Sequence, residues 1–209
     1  MIEGPIYKLC VIVVNYNVEY FLDQCLESVY KASNNLAVEI IVVDNNSVDG
    51  SLQMIRTKYP ECRIISNTEN LGFSRANNQA IQESSSEYIL LLNPDTVVQE
   101  DSLDKIIDFM DAHPEAGGLG VRMIDGKGIL LPESKRGLPT PSVAFYKIFG
   151  LSGIFPRSKR FGHYHLGYLS EFETNQVDIL SGAFMLLRKK TLNEIGLLDE
   201  NFFMYGEDI

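Results

Sequence analysis

Four short apolar runs recur along the first part of the chain, each followed by a stretch with helical spacing, and this alternation fixes the fold class. Leu9 to Val14 is continuous and mostly β-branched, the pattern of a strand buried on both faces. Val38 to Val43 repeats it and ends at Asp44, Arg63 to Ile65 gives a short third strand, and Tyr88 to Leu92 a fourth. Between them, Val18, Phe21, Leu22, Cys25, Leu26 and Val29 are spaced as the inward face of a helix. Leu52, Ile55 and Tyr59 mark a second helix, capped by Ser47 or Asp49 and stopped by Pro60. Ser74 to Ile81 forms a third, and Leu103, Ile106, Ile107 and Met110 a fourth that opens at Asp101 or Ser102 and ends near Pro114. Such alternation predicts an α/β fold: a mostly parallel central sheet with helices on both faces and right-handed crossovers.

In sheets of this kind ligands sit at the carboxyl ends of the strands. Attention therefore falls on Asn15 to Asn17, Asp44 to Ser47, Asn67 to Gly72 and Asn93 to Asp95, all rich in Asn, Asp and Ser. The Asp44 carboxylate can accept hydrogen bonds from a ribose or a uracil-type base, or satisfy backbone groups in a turn. In Asn93-Pro94-Asp95 the proline fixes the turn, and Asp95 either points into the same crevice or caps the next helix. A hard divalent cation often takes one or two carboxylates and completes its shell with substrate phosphates. Glu207-Asp208 follows Phe202, Phe203, Met204 and Tyr205. Partial burial of adjacent carboxylates there would favour a general base, and the alternative is a solvated acidic end.

Past Gly117 the regular alternation lapses. Leu119 to Ile124 reads as one more strand with a turn at Asp125-Gly126, and Leu131 to Ser170 as a loop-rich region with a short helix near Val143 to Phe149. Val177 to Arg188 reads as a strand pair or strand-turn unit, and Thr191 as the cap of a helix ending at Gly196. One domain over 1–209 is expected, its regular alternation confined to 1–116. The net charge of −10 argues against a nucleic-acid partner, which needs clustered Lys and Arg. An acidic chain holds an anionic ligand through a metal ion, a helix N-terminus or a few placed basic groups. Cys10, Cys25 and Cys62 lie in apolar runs without metal-type spacing, as core thiols in a reducing compartment do. Leu9 to Val14 is too short for a signal or a membrane span. A cytoplasmic location is expected, with contact at the inner face of the plasma membrane as an extension of it. The basic-aromatic segment Phe145 to Tyr168 would make that contact, or else be a flexible loop with solvated charges. His163 and His165 read as exposed loop histidines rather than a metal pair.

Val13-Val14-Asn15-Tyr16-Asn17, Val42 to Ser51, Asn70 to Asn78, Leu91 to Asp95, Ser181 to Met185 and Phe202 to Asp208 together resemble family 2 glycosyltransferases. Six motifs occur in the family's order over nearly the whole chain, and within the family the rhamnosyltransferase-like branch that decorates bacterial polysaccharides is the nearest in pattern. The resemblance implies a GT-A, Rossmann-like fold with an acceptor-side extension, so that 1–116 would be the nucleotide-binding half and 117–209 the acceptor-side half of the single domain. It implies that Val14, Asn15 and Asn17 line the base pocket, that Asp44 binds base or ribose with Asn46 nearby, and that Arg75 approaches the diphosphate or shapes that pocket. Asp95 would ligate Mg²⁺ or Mn²⁺ beside Asn93, Gly182 and Ala183 would leave room for the sugar, and Asp208 with Glu207 would supply the general base. The implied reaction is inverting transfer from a nucleotide-diphosphate-sugar donor, dTDP-rhamnose or a UDP-hexose, to a saccharide or lipid-linked acceptor.

Two departures from the family pattern stand out. Asn93 replaces the first carboxylate of the usual Asp-x-Asp, which allows weak metal dependence, although Asn-Pro-Asp is typical of the rhamnosyltransferase-like branch. The family also continues beyond Glu-Asp, so a C-terminally truncated chain is expected, able to bind donor without turnover. Two other readings stand beside the glycosyltransferase, an inactive nucleotide-sugar-binding module and a sugar-phosphate nucleotidyltransferase. The second normally carries a Gly-rich, Arg-containing loop where this chain has Asn15-Tyr16-Asn17. A dinucleotide-dependent oxidoreductase would need Gly-x-Gly-x-x-Gly there.

Overall fold

A computed structural model describes residues 7–203 of the chain. In chain order the elements are β1 (Leu9–Asn15), α1 (Glu19–Ala32), β2 (Val38–Asp44), α2 (Ser51–Lys58), β3 (Arg63–Ser66), α3 (Gly72–Glu83), β4 (Tyr88–Leu92), α4 (Ser102–Ala112) and β5 (Gly118–Leu119). They are followed by α5 (Pro141–Ile148), α6 (Leu151–Ile154), β6 (Phe184–Arg188) and α7 (Lys189–Ile195). Two compact units result: one takes in 7–119 and 182–203, the other 120–181. The first unit reclaims 182–203 because β6 completes its sheet.

That sheet has six strands in the order β3-β2-β1-β4-β6-β5. β1 to β4 are mutually parallel where they pair, as the alternation requires, whereas β6 runs antiparallel to β4 and β5 antiparallel to β6. Leu9 to Val13, Ile41 to Val43 and Tyr88 to Leu91 are wholly inaccessible, which is why these strands read as unbroken apolar runs. α1 buries Leu22, Cys25, Leu26 and Val29, and α4 buries Leu103, Ile106, Ile107 and Met110. Phe21, expected inward, is 51% exposed, since the stripe from Leu22 to Val29 leaves it on the flank of the helix. Burial pushes the thiols of Cys10, Cys25 and Cys62 up to about 12, as apolar surroundings disfavour the thiolate.

Arg188 braces the opposite end of β4. Its guanidinium donates to the carbonyls of Met110, His113 and Ala116, which follow or end α4, and to the Tyr88 hydroxyl. Tyr88 in turn donates to Asp111, which also accepts from Lys8.

Three sequence expectations are corrected. Only Gly118–Leu119 of the proposed fifth strand joins the sheet; Ile124 makes an isolated bridge to Leu130 around a turn whose amides are gathered by Asp125. Of Val177 to Arg188 only Phe184–Arg188 is a strand, and Ile179 makes a single bridge to Arg136. Thr191 is not a cap, because α7 already begins at Lys189.

The second unit is built from turns, α5, α6 and two 3-10 segments, around the buried side chains Val143, Leu166 and Ile179. His163 and His165 are half-buried rather than exposed: they sit in a 3-10 turn, with His163 Nε2 3.3 Å from Asp178 and its ring stacked on Tyr168. Among the described residues no helix is long and apolar enough to cross a membrane.

Candidate functional site

Strand register sets the site. Asn15 at the end of β1 lies opposite Asp44 at the end of β2, which lies opposite Ser66 at the end of β3. Leu92 lies opposite Phe184 with β6 reversed, so Ala183 also reaches this edge, where its carbonyl accepts from Asn93 N at 3.1 Å. The segments Asn15–Asn17, Asp44–Ser47, Asn93–Asp95 and Gly182–Ala183 are thereby gathered on one edge of one sheet.

The first two loops are interlocked. Asn15 Nδ2 donates to Asp44 Oδ1 at 2.7 Å and to Ser47 Oγ at 3.0 Å, and Ser47 N donates to Asp44 Oδ2 at 3.0 Å. Asn17 N donates to Ser47 Oγ and Asn17 Oδ1 accepts from Val48 N. Asn17 (φ 56°) and Asn46 (φ 66°) both occupy the left-handed region, which asparagine tolerates better than most residues. Asp44 and Asn15 are fully buried. The amide of Asn15 is oriented by the Asp44 carboxylate, which leaves Asn15 Oδ1 buried with no hydrogen-bond partner among the described residues. Asp49 closes the same region by accepting from Glu19 N and from the Ser51 amide and hydroxyl. Burial pushes its carboxyl up, but the Ser51 hydroxyl and those amides outweigh it and hold it below the usual carboxylate range.

Asp95 is exposed, two residues beyond the Asn93–Ala183 contact, in a turn closed by Thr96 N on Asn93 O. Its charge is felt by the Cys25 thiol beneath, which burial chiefly holds high. Among the described residues no three His, Cys, Asp or Glu side chains form a ready cation cage. A lone exposed carboxylate still suits a magnesium-type ion that draws its other ligands from phosphates and water. A Cβ built on Gly182 would lie 3.6 Å from the Phe73 ring, ordinary contact, so packing does not demand glycine there. Val14 is half-buried and Asn46 exposed. The Arg75 side chain is 57% exposed, with Nε 3.8 Å from Glu200. Asp208 and Glu207 lie outside the described residues. A shallow groove between α1 and α2, lined by Tyr20, Gln53 and Thr57 among others, is a separate feature.

Sequence reading missed a second layer of amides. Asn45 Nδ2 donates to Asn70 Oδ1 and Gly72 O, its Oδ1 accepts from Asn67, and Asn67 exchanges hydrogen bonds with Gln79. Asn78 grips the segment after α7: its amide donates to Leu198 O (2.9 Å) and Glu200 Oε1 (3.0 Å) and accepts from Leu198 N (3.1 Å). Phe73 N donates to Phe203 O at 2.9 Å, closing the N-terminus of α3. A signal existed in Asn77-Asn78, since two poor helix formers inside a helix suggest side chains needed for bonding.

Comparison with known proteins agrees with this architecture. The chain is 29% identical to N-acetylglucosaminyl-diphospho-decaprenol L-rhamnosyltransferase of Mycobacterium tuberculosis, over 96% of its own length and 68% of the relative's. It superposes on mannosyltransferase PcManGT from Pyrobaculum calidifontis, solved with GDP-Man and Mn²⁺, with TM-score 0.62 and 17% identity, covering 95% of this chain and 49% of that one. Against S. aureus TarS in complex with UDP the TM-score is 0.62 at 20% identity, over 96% of this chain and 52% of the other. The chain thus spans about half the length of these structures, and they share its fold, the GT-A arrangement expected from sequence. Residues 10–196 match the family described as "Glycosyl transferase family 2", and the chain belongs to that family.

Proposed function

We propose that this chain is the nucleotide-sugar-binding part of an inverting glycosyltransferase. In this reading it transfers a sugar from dTDP-rhamnose or a UDP-hexose to a saccharide or lipid-linked acceptor in glycan assembly. The observation that carries the reading is the gathering of Asn15–Asn17, Asp44–Ser47, Asn93–Asp95 and Gly182–Ala183 on one sheet edge. The mycobacterial relative, named for a diphospho-decaprenol acceptor, and the UDP and GDP-Man bound to the solved structures support the choice of donor and acceptor classes.

In this reading Val14, Asn15 and Asn17 face the nucleoside, while Asp44 serves base and ribose by fixing Asn15 and Ser47. Asn46 stands beside Asp44 at the base and ribose, Arg75 approaches the diphosphate, and Gly182 with Ala183 leaves space for the sugar. Asp95, beside Asn93, is the residue to hold Mg²⁺ or Mn²⁺. Such an ion offsets negative charge on the departing diphosphate. Asp208, with Glu207 adjacent, accepts the acceptor hydroxyl's proton as that oxygen bonds to the anomeric carbon. The bond from carbon to phosphate oxygen breaks on the opposite face, so configuration inverts. Proton acceptance of this kind contributes roughly 10²–10⁴ in rate.

A thermal-shift panel of UDP, dTDP and GDP, with and without Mn²⁺, tests the binding half of this reading. A nucleotide at about a hundred times its dissociation constant stabilises the folded state by about 2.7 kcal/mol. Asp95→Ala should abolish the Mn²⁺-dependent part of the shift. The absence of any nucleotide shift would refute the assignment, as would Asp208→Asn leaving donor turnover by the full-length protein unchanged.

A further inference from the structure

None of the residues assigned above to the donor site lies in the second unit, 120–181, which carries a distinct surface of its own. All 28 Asp and Glu residues of the chain lie outside 134–170, while six of its 18 Lys and Arg lie inside. In a chain of net charge −10 this concentrates positive charge on one unit.

The same stretch exposes a row of large apolar side chains. α5 turns Val143 inward, where it is 7% exposed, and presents Phe145, Ile148 and Phe149 on its opposite side, at 50%, 79% and 65%. The chain then reverses at Gly150, whose φ of 74° permits the tight turn into α6, and exposes Ile154 and Phe155. Ring contacts make the row continuous: Phe149 packs on Phe145, Phe145 on Tyr146, Tyr146 on Phe161 and Phe161 on Phe155, with centroids 4.3, 6.0, 4.9 and 5.7 Å apart. Arg160 lies over two of these rings and donates to the Tyr146 hydroxyl at 3.0 Å. Lys147, Arg157 and Lys159 are exposed in the same stretch, with Lys147 Nζ over the Tyr164 ring at 3.4 Å.

Scattered exposed apolar residues are normal, but a contiguous aromatic row in a stretch with six cations and no carboxylate is not. A protein partner of ordinary composition would leave so many cations uncompensated. An anionic bilayer meets both demands, because aromatic rings settle at the headgroup boundary while Lys and Arg meet lipid phosphate. We infer that the face formed by Phe145, Ile148, Phe149, Ile154 and Phe155, with Arg157, Lys159 and Arg160, docks this chain on an anionic membrane surface. The inference goes beyond donor transfer and does not rest on it.

Flotation of the full chain with vesicles tests it, using phosphatidylglycerol and phosphatidylcholine in equal parts against phosphatidylcholine alone. Binding is expected to the anionic vesicles and to weaken as salt is raised. At about 1 kcal/mol per cation, Arg157→Gln with Lys159→Gln should weaken it roughly thirty-fold. Ile148→Ser with Phe149→Ser should weaken it at least about tenfold for each side chain that enters the interface. Both pairs are exposed, so melting temperatures and any UDP shift should stay at wild-type values. Equal binding to both vesicle types, or no binding to the anionic ones, overturns the inference. So does a dimer in sedimentation velocity that Ile148→Ser with Phe149→Ser dissociates, which would make a second copy the occupant.

Discussion

Replacing Asn78 with alanine should release the segment 198–203 from α3. The side chain is 3% exposed and makes three hydrogen bonds to that segment, two of them to the backbone of Leu198. At about 1 kcal/mol net for each bond, the docked state loses roughly 3 kcal/mol. The segment can undock without unfolding the sheet, so its own docking free energy caps the loss seen in global unfolding. A fall of about 2–3 kcal/mol corresponds to roughly 5–10 °C in melting temperature for a chain of this size. Urea unfolding and amide exchange of Leu198 and Phe73 separate the cases. Local release speeds exchange at both amides even where the global midpoint moves little, because Phe73 N bonds to Phe203 O. Asn78→Asp sharpens the test. It keeps an acceptor for Leu198 N but sets a carboxylate against Glu200 Oε1 and Leu198 O. It should be worse than alanine at neutral pH, and it should recover as the pH falls and one carboxyl regains a proton to donate. Unchanged Leu198 protection in Asn78→Ala, with a melting temperature within about a degree of wild type, would refute the reasoning.

Other substitutions probe the same framework. Gly72→Ala should cost at least about 3 kcal/mol in urea unfolding, since φ is +80° and the new Cβ would lie 2.4 Å from the Phe203 carbonyl oxygen. Arg188→Met should cost about 3–5 kcal/mol by the same measurement, because three carbonyls at the end of α4 lose a charged donor in a largely enclosed place. Asp49, held below its ordinary value of 3.8, contributes stability that is complete above that value and is lost as the pH falls through the lower folded one. Asp49→Asn should therefore show a flatter acid limb in stability against pH, and an unchanged limb would remove Asp49 from the loop's support.

How far the chain could be read from its sequence varies along its length. β1, β2 and β4 were legible because a strand covered on both faces reads as a near-continuous apolar run, so Leu9 to Val14 admits little else. The stripe on α4 was legible for the related reason that one face is buried along its whole length. Asn15, Asp44 and Asn93 could be found as polar residues placed where apolar strands stop. Beyond β4 the reading was partial: the helix near Val143 to Phe149 is present as α5 and β6 falls within the expected Val177 to Arg188, but the pairings of β5 and β6 and the bridges of the second unit depend on partners distant in sequence. Leu119 pairs with Leu186, and Arg136 with Ile179, through single registers that no local pattern encodes.

The sequence by itself determined the parallel core and the edge at which polar loops must gather, because periodicity and burial are properties of each segment alone. Tertiary structure decided the rest. It turned β6 against β4, so that Ala183 meets Asn93. It buried Asp44 beneath Asn15 and Ser47, and it let Asn78 take hold of Leu198, 120 residues away. The physical reason is that a side-chain hydrogen bond needs its partner within about 3 Å, and only the assembled sheet brings such distant loops that close.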